Sequence, residues 1–206
     1  MDWDGFEQLH VYVEERIAEF DLITEERKGE LRLLAKNVLG GNGEVVNLIF
    51  ICTHNSRRSH MAQLWASLGA TIYEAKRIAS FSGGTEATAF NPMAVQVMKD
   101  AGFRITTKIP GANPVYLVSH PGVSEGLRIF SKKYTDPPNP ARGFQAIMTC
   151  SDADEACPIV AGAVSRHAIT YEDPKAFDGT PEVREGYAER CRQIGREMLF
   201  AFSLTS

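Results

Sequence analysis

The stretch that decides the fold runs from Val45 to Ser59 and reads VVNLIFICTHNSRRS. Its first half is an apolar stretch interrupted only by Asn47, which predicts a buried strand that ends at Cys52. A helical pattern then begins at Arg58, after a loop of polar residues. A buried strand that leads through a short loop into a helix is typical of chains that alternate strands and helices, so we expect an α/β fold.

The loop between this strand and helix has the composition of an oxyanion site. Amides in a loop that enters a helix N-terminus can point toward a bound anion, and the helix dipole adds to the attraction. The same positive environment favours the thiolate of Cys52, which makes this cysteine the candidate nucleophile. The planar fork of Arg58 can hold two oxyanion oxygens. The candidate oxyanion-binding residues are Thr53, His54, Asn55, Ser56, Arg57, Arg58 and Ser59.

Individual loop residues have separate expected roles. The hydroxyl of Ser59 can donate a hydrogen bond to the thiolate, and Asn55 tolerates the left-handed backbone that a tight loop needs. Arg57 is interpreted as a solvated surface charge with no catalytic role. A cysteine at the end of a buried strand is more often a small apolar residue of the core. The combination of strand, cysteine, arginine and helix favours function here.

The composition excludes several classes of function. A net charge of −4 and a pI near 5.8 argue against nucleic-acid binding. No apolar run approaches the roughly 18 residues that a membrane span needs, and the acidic N-terminus lacks a signal-peptide pattern. We therefore expect a cytoplasmic protein. The 4 cysteines are then catalytic, redox-active or buried rather than a disulfide framework. No metal or cofactor is expected.

The rest of the chain divides into a helical extension, residues 1–44, and an α/β domain, residues 45–206. The extension contains two helical patterns followed by a glycine-rich break at residues 40–43. It is expected to pack on the domain or to form part of a homodimer contact. The domain is predicted to have helices near residues 58–69, 91–101 and 181–203, buried strands near 45–52, 76–82 and 144–150, and an inserted hairpin of strands near 114–119 and 127–134. This alternation predicts a parallel sheet with helices on both faces.

A second pair of cysteines, Cys150 and Cys157, flanks a polar segment. Their spacing fits neither a zinc site nor a C-x-x-C redox motif. Two thiols in a chain that already has a candidate thiolate indicate thiol–disulfide exchange. The alternative is a buried strand residue followed by a turn. Cys191 lies on the apolar face of the last helix and is interpreted as structural.

Four separated motifs resemble those of the low-molecular-weight protein tyrosine phosphatase superfamily, and most closely its thioredoxin-coupled arsenate reductases. The motifs occur in the family's order: LIFICTHNSRRSHMAQLWA (48–66), SFSGGTEATAFNPMAVQVMKDAGF (80–103), CSDADEACPI (150–159) and YEDPKAFDG (171–179). The resemblance implies a three-layer α/β sandwich around a parallel four-stranded sheet. It also implies that Asp173, directly before Pro174, is the general acid.

The resemblance implies a specific reaction on arsenate. Cys52 attacks the oxyanion, Cys150 attacks Cys52 as arsenite leaves, and Cys157 attacks Cys150. A thioredoxin-like reductant then opens the Cys150–Cys157 disulfide. The segment between these two cysteines is expected to be mobile, since Cys150 must be reached from both sides.

Some residues depart from the family's patterns. The phosphatases place aromatic residues after the Asp-Pro pair, whereas Lys175 and Ala176 follow it here. Arsenate reductases of this type can bind potassium near the loop, and Asn55 and Ser82 match two positions of that site. Gln63 replaces an acidic ligand, and the region 108–111 lacks a matching aspartate. A bound cation is therefore not expected.

Three functions remain open from the sequence. The first is arsenate reduction through the three cysteines. The second is hydrolysis of phosphomonoesters through a phosphocysteine at Cys52, without the cysteine pair. The third is a non-catalytic, regulatory oxyanion-binding protein whose N-terminal helices contact a partner.

Overall fold

A parallel four-stranded sheet lies at the centre of the protein. The computed structural model describes residues 1–39, 45–156 and 159–205. The strands of this sheet follow the order β2-β1-β6-β7, and their bounds are β1 (Val46–Cys52), β2 (Ile78–Gly84), β6 (Phe144–Met148) and β7 (Ala163–Ala168). The strand that ends at Cys52 is therefore an interior strand, paired in parallel with β2 and β6.

From Leu48 to Cys52, strand β1 is apolar and buried because both of its faces are covered. Leu48 and Phe50 belong to a large buried cluster shared with helices α3 (Arg58–Ile72) and α6 (Val183–Ser203). Ile49 and Ile51 point to the opposite face, into a smaller cluster that includes the short helix α5 (Ser151–Ala156). The three layers confirm the predicted fold class, an α/β sandwich around a parallel four-stranded sheet.

The remaining helices are the two expected in the N-terminal extension and the one predicted near residues 91–101. They are α1 (Glu7–Ala18), α2 (Glu25–Leu39) and α4 (Pro92–Asp100), with 3-10 turns at Phe20–Leu22 and Pro174–Phe177. Asn91 caps α4, because its Oδ1 accepts hydrogen bonds from the amides of Met93 and Ala94 at 2.9 and 3.2 Å. Pro92 occupies the first helical position, where its missing amide hydrogen costs nothing.

Helices α1 and α2 pack on the α/β core. Leu9, Val13 and Leu31 are buried in the same cluster as Trp65 of α3, and the ring of Tyr12 stacks on Trp65 with centroids 5.6 Å apart. The extension therefore packs on the core, which is one of the two placements expected for it, and the homodimer contact stays a prediction. The predicted glycine-rich break at residues 40–43 lies outside the described residues.

A second, antiparallel sheet contains the predicted hairpin. Its strands are β3 (Arg104–Ile109), β4 (Val115–His120) and β5 (Val123–Ile129), in that order. The prediction placed the second hairpin strand at 127–134, which was wrong. Gly122 has φ 84° and permits a tight turn directly after β4, so β5 starts at Val123. Beyond Ile129 the chain leaves this sheet and runs beside Gly84 at the end of β2.

Three elements were not predicted: β3, α5 and β7. Each is short and contains polar or exposed residues rather than a clear apolar period. Across residues 1–39, 45–156 and 159–205, no helix combines the length and the apolar character that a membrane crossing requires.

Candidate active site

Cys52 is the last residue of β1 and is 3% exposed. Its Sγ lies 3.1 Å from the hydroxyl oxygen of Ser59, in the first turn of α3. The parallel sheet thus delivers the thiol to the carboxyl end of an interior strand, where open α/β sheets bind their ligands.

The anion loop, residues 53–57, turns its carbonyl groups outward. These carbonyls accept hydrogen bonds from groups outside the loop: Glu86 N to Thr53 O at 2.8 Å, Ser131 Oγ to His54 O at 3.0 Å, Thr88 Oγ1 to His54 O at 3.2 Å and Asn91 N to Ser56 O at 2.9 Å. Within the described part of the chain, no protein group accepts a hydrogen bond from the amides of residues 53–56. This arrangement leaves the amides to cradle an anion.

Asn55 fixes the direction of the hydrogen bonds that reach the nucleophile. It is fully buried, and its φ of 45° is the left-handed conformation that was expected. Its Oδ1 accepts from the amide of Lys132 at 2.9 Å, so its Nδ2 donates to Ser59 Oγ, also at 2.9 Å. Because Ser59 Oγ accepts from Asn55, its own hydrogen is available for the sulfur of Cys52.

Arg58 connects the anion loop to the acid loop, which we define as residues 170–173. Its Nη1 donates to the carbonyl of Tyr171 at 2.8 Å, and its Nη2 donates to Asp173 Oδ2 at 2.6 Å. The side chain is buried, and its Nε has no hydrogen-bond partner. Each Nη retains a second N–H, so Nε and these hydrogens can contact an oxyanion.

Asp173 lies at the edge of the site, with its side chain 33% exposed. Its Oδ1 caps the following 3-10 turn by accepting from the amide of Lys175 at 3.0 Å. Cys52, His54, Ser56, Arg57, Arg58 and Asp173 line one small pocket. The structure therefore brings the predicted nucleophile, arginine and acid together.

The interpretation of Arg57 as a solvated surface charge is wrong. Its side chain is 14% exposed, and its Nε donates to the hydroxyl of Tyr187 at 2.6 Å. Its Nη2 donates to Asp178 at 3.0 Å, and its Nε lies 3.9 Å from Asp173 Oδ1. Tyr187 also donates to Asp178 at 2.7 Å, while burial raises the pKa of Tyr187 to about 12. Arg57 therefore links the loop to α6 and to the segment after Asp173.

Cys150 lies next to the anion loop, two residues after β6 ends. It is fully buried in the same cluster as Cys52, and its Sγ is 3.6 Å from Thr53 Oγ1. The amide of Ala153, in α5, donates to the same sulfur at 3.4 Å. Cys157, the third predicted redox cysteine, lies outside the described residues. Cys191 is buried in α6 and contacts Met98, which agrees with a structural role.

Comparisons with known proteins agree with this geometry. The arsenate reductase of Bacillus licheniformis is 27% identical over 162 residues, covering 77% of this chain and 95% of that protein. The arsenate reductase of Bacillus subtilis is 26% identical over 152 residues, covering 73% and 91%. A solved structure of an arsenate reductase in the oxidised state has a TM-score of 0.50 and 19% identity, covering 78% of this chain and 98% of the other. No protein-family model matches the chain.

The resemblance is confirmed. The chain is similar to arsenate reductases and has the fold of the low-molecular-weight phosphatase superfamily. The expectation of an enzyme of one of these two kinds is confirmed as well.

Two groups of site residues were missed by the sequence analysis. Ser131 and Lys132, which follow the antiparallel sheet, hydrogen-bond to His54 and Asn55 in the anion loop. Arg27 in α2 donates to the carbonyl of Thr170 at 2.6 Å. These contacts join segments far apart in the chain, and no local sequence pattern marks them.

The residues that match a potassium site supply only neutral oxygens. Ser82 Oγ and Gln63 Oε1 are buried without hydrogen-bond partners, whereas Asn55 Oδ1 already accepts from Lys132. Among the described residues, no cluster of three or more His, Cys, Asp or Glu side chains could hold a metal ion.

Proposed function

We propose that the protein reduces arsenate to arsenite through Cys52, Cys150 and Cys157. The observation that carries this proposal is the position of Cys150. Its sulfur lies 3.6 Å from the hydroxyl of Thr53, the residue next to the nucleophile, and both thiols are buried in one cluster. A phosphatase has no need of a second thiol beside its anion loop.

The first step forms a bond between sulfur and arsenic. The loop amides and Arg58 hold the arsenate oxygens, and Ser59 stabilises the thiolate of Cys52 through its hydroxyl. The thiolate attacks arsenic, and one arsenic–oxygen bond breaks. Asp173, held at 2.6 Å from Arg58, is the proposed donor of the proton that lets the oxygen leave as water.

The second step transfers two electrons to arsenic. The thiolate of Cys150 attacks the sulfur of Cys52, so a Cys52–Cys150 disulfide forms and the sulfur–arsenic bond breaks. The electron pair of that bond stays on arsenic, which leaves as arsenite. Cys157 then attacks Cys150, releasing the thiolate of Cys52 and forming the Cys150–Cys157 disulfide.

The cycle closes when an external dithiol reduces the Cys150–Cys157 disulfide. We propose a thioredoxin-like protein in this role and, with it, a cytoplasmic location, since such reductants keep thiols reduced there. The segment that carries the two cysteines includes α5, where Asp154 is ion-paired to Arg166 of β7. This contact would have to loosen for Cys150 to meet both partners.

Four single variants test the proposal. Cys52→Ser, Cys150→Ser and Cys157→Ser should each abolish repeated turnover of arsenate in the presence of a thioredoxin system. Cys191→Ser is the matched control, since this buried thiol lies in α6 outside the relay, and it should keep turnover near the wild-type rate. Arsenate turnover that survives Cys150→Ser and Cys157→Ser would rule out the relay.

The second candidate is hydrolysis of phosphomonoesters through a phosphocysteine. The contact between Arg58 and Asp173 favours it, because these residues and Cys52 suffice for that reaction. The surroundings argue against an aromatic substrate, since the ring of Phe177 packs against Gly186 of α6 rather than lining the pocket. An aryl phosphatase activity lost in Cys52→Ser but kept in Cys150→Ser would support this function.

A non-catalytic oxyanion-binding protein is the third candidate. It requires the anion loop but neither Asp173 nor Cys150. Phosphate binding without turnover of arsenate or of aryl phosphate, in the presence of a reductant, would favour it over both enzymes.

A further inference from the structure

Two arginines from distant parts of the chain hold consecutive carbonyls of the acid loop. Arg58 donates to the carbonyl of Tyr171 at 2.8 Å, and Arg27 donates to that of Thr170 at 2.6 Å. Arg58 belongs to the anion loop's helix, whereas Arg27 lies in the first turns of α2, in the N-terminal extension. The backbone that leads into Asp173 is therefore fixed from two sides.

Arg27 is itself held in place. Its side chain is 19% exposed, and its Nη1 donates to Glu30 at 2.7 Å. Its Nε lies 3.4 Å from Glu197, a buried carboxylate of α6, and its guanidinium lies 5.5 Å from the centre of the Tyr171 ring. A side chain tied at several points loses little entropy when it holds the loop.

The same arginines line one cleft of about 440 Å³ beside the anion loop. Arg27 and Arg58 face it together with Glu172, Asp173 and Arg190. Through Arg27, the extension lines the cleft that Arg58 also lines. The extension therefore contributes to the surroundings of the site as well as covering the core.

We propose that Arg27 is a positioning residue, through which the N-terminal extension sets the acid loop so that Asp173 meets Arg58 and the reacting oxyanion. The inference rests on the proposed function, in which Asp173 donates a proton. It assigns the extension a share in catalysis, for arsenate and for a phosphomonoester alike.

The test compares full-length Arg27→Ala, Arg27→Lys and a control, Arg32→Ala. Arg32 lies in the same helix, is 53% exposed and forms a surface ion pair with Glu25 at 3.5 Å. For Arg27→Ala we expect kcat to fall about tenfold while KM changes less than about twofold, because loop geometry is lost but the anion loop is intact. Arg27→Lys should recover part of the loss, and Arg32→Ala should match the wild type.

A double-mutant cycle with Asp173→Asn separates positioning from general stability. If Arg27 acts through Asp173, Arg27→Ala should cause little further loss of kcat in the Asp173→Asn background. Losses that multiply would overturn the proposal, as would equal kcat values for Arg27→Ala and Arg32→Ala.

Hydrogen exchange of the amides in residues 171–178 gives a readout that needs no turnover. Exchange there should be faster in Arg27→Ala than in the wild type and in Arg32→Ala. Unchanged exchange would overturn the positioning role. A wild type without turnover of either substrate would instead refute the proposed function, while exchange would still decide whether Arg27 holds the loop.

Discussion

At the residue scale, Asn55 has two separable tasks. Its backbone adopts the left-handed conformation. Its side-chain amide accepts a hydrogen bond from the backbone N–H of Lys132 and donates one to the hydroxyl of Ser59. Without the amide, the hydroxyl of Ser59 is no longer oriented toward the sulfur of Cys52. The reactivity of the thiol therefore depends on a side chain that does not touch it.

Two variants of Asn55 distinguish these tasks. Asn55→Gly keeps the backbone conformation but loses the side-chain amide, so iodoacetamide should alkylate Cys52 more slowly than in the wild type at the same pH. Asn55→Ala adds backbone strain and should slow both alkylation and turnover further, by about tenfold in kcat. Alkylation of Asn55→Gly that matched an Asn37→Ala control, a change at an exposed position in α2, would contradict this role.

Lys132 gives the protein a pH-dependent stability. Burial lowers its pKa to about 8, from the ordinary value of 10.5. Between these values the unfolded chain binds more protons than the folded chain, so this group makes the free energy of unfolding rise with pH from about 8 to 10.5. Below about pH 8 the buried amine is charged in the folded protein, and its desolvation lowers the free energy of unfolding.

Urea denaturation of Lys132→Met should show the loss of this dependence. At pH 7 the free energy of unfolding of the variant should exceed that of the wild type by on the order of a few kcal/mol. This difference should disappear by about pH 10. Lys133→Met, at the exposed neighbouring position, is the control and should leave the pH dependence unchanged. A constant difference between Lys132→Met and wild type across this range would contradict the assignment.

At the scale of elements, the antiparallel sheet supports the anion loop through the segment that follows β5. Asn113, in the connection before β4, exchanges two hydrogen bonds with the backbone of Ser131, at 2.7 and 3.1 Å. Ser131 in turn donates to the carbonyl of His54 and accepts from the amide of Thr88 at 2.8 Å. The insertion thereby holds one side of the loop in its anion-binding shape.

Asn113→Ala should weaken anion binding without removing any group that contacts the anion. Losing two partly buried hydrogen bonds, worth about 1 kcal/mol each, predicts a rise of about threefold to tenfold in the inhibition constant of phosphate. Ser124→Ala, at an exposed position of β5, serves as control and should have no effect. Equal inhibition constants in both variants would show that the insertion does not support the loop.

The elements that the sequence predicted are those with local signals. The apolar run of β1 and the Asn91-Pro92 start of α4 each mark their own position. Strand β7 lies at the edge of the sheet and has mixed burial, so it lacks such a run. The contacts of Arg57 could not be predicted because its partners, Asp178 and Tyr187, lie more than 100 residues away in the chain.

At the scale of the whole molecule, the extension and the α/β domain share one hydrophobic cluster. Leu31 of α2 is fully buried in that cluster together with Met198 and Phe202 of α6. We propose that residues 1–44 are an N-terminal extension of an α/β domain that comprises residues 45–206. The shared cluster implies that both parts unfold together.

Leu31→Ala and Leu33→Ala form a matched pair for this claim. Leu31 is 0% exposed and Leu33 is 60% exposed in the same helix. Leu31→Ala should lower the free energy of unfolding by about 2–5 kcal/mol in one cooperative transition, whereas Leu33→Ala should change it by less than about 0.5 kcal/mol. If Leu31→Ala showed a separate early unfolding transition while the α/β domain unfolded as in the wild type, the extension would be an independent folding unit.

The relay between cysteines is the central claim, and trapping its intermediate tests it most directly. Cys157→Ser should stop after one turnover on arsenate, because no thiol remains to release Cys52. Mass spectrometry of the quenched, alkylated and digested protein should then find a Cys52–Cys150 disulfide, with about one arsenite released per chain. Release of arsenite with Cys150 still alkylated as a free thiol would contradict the account.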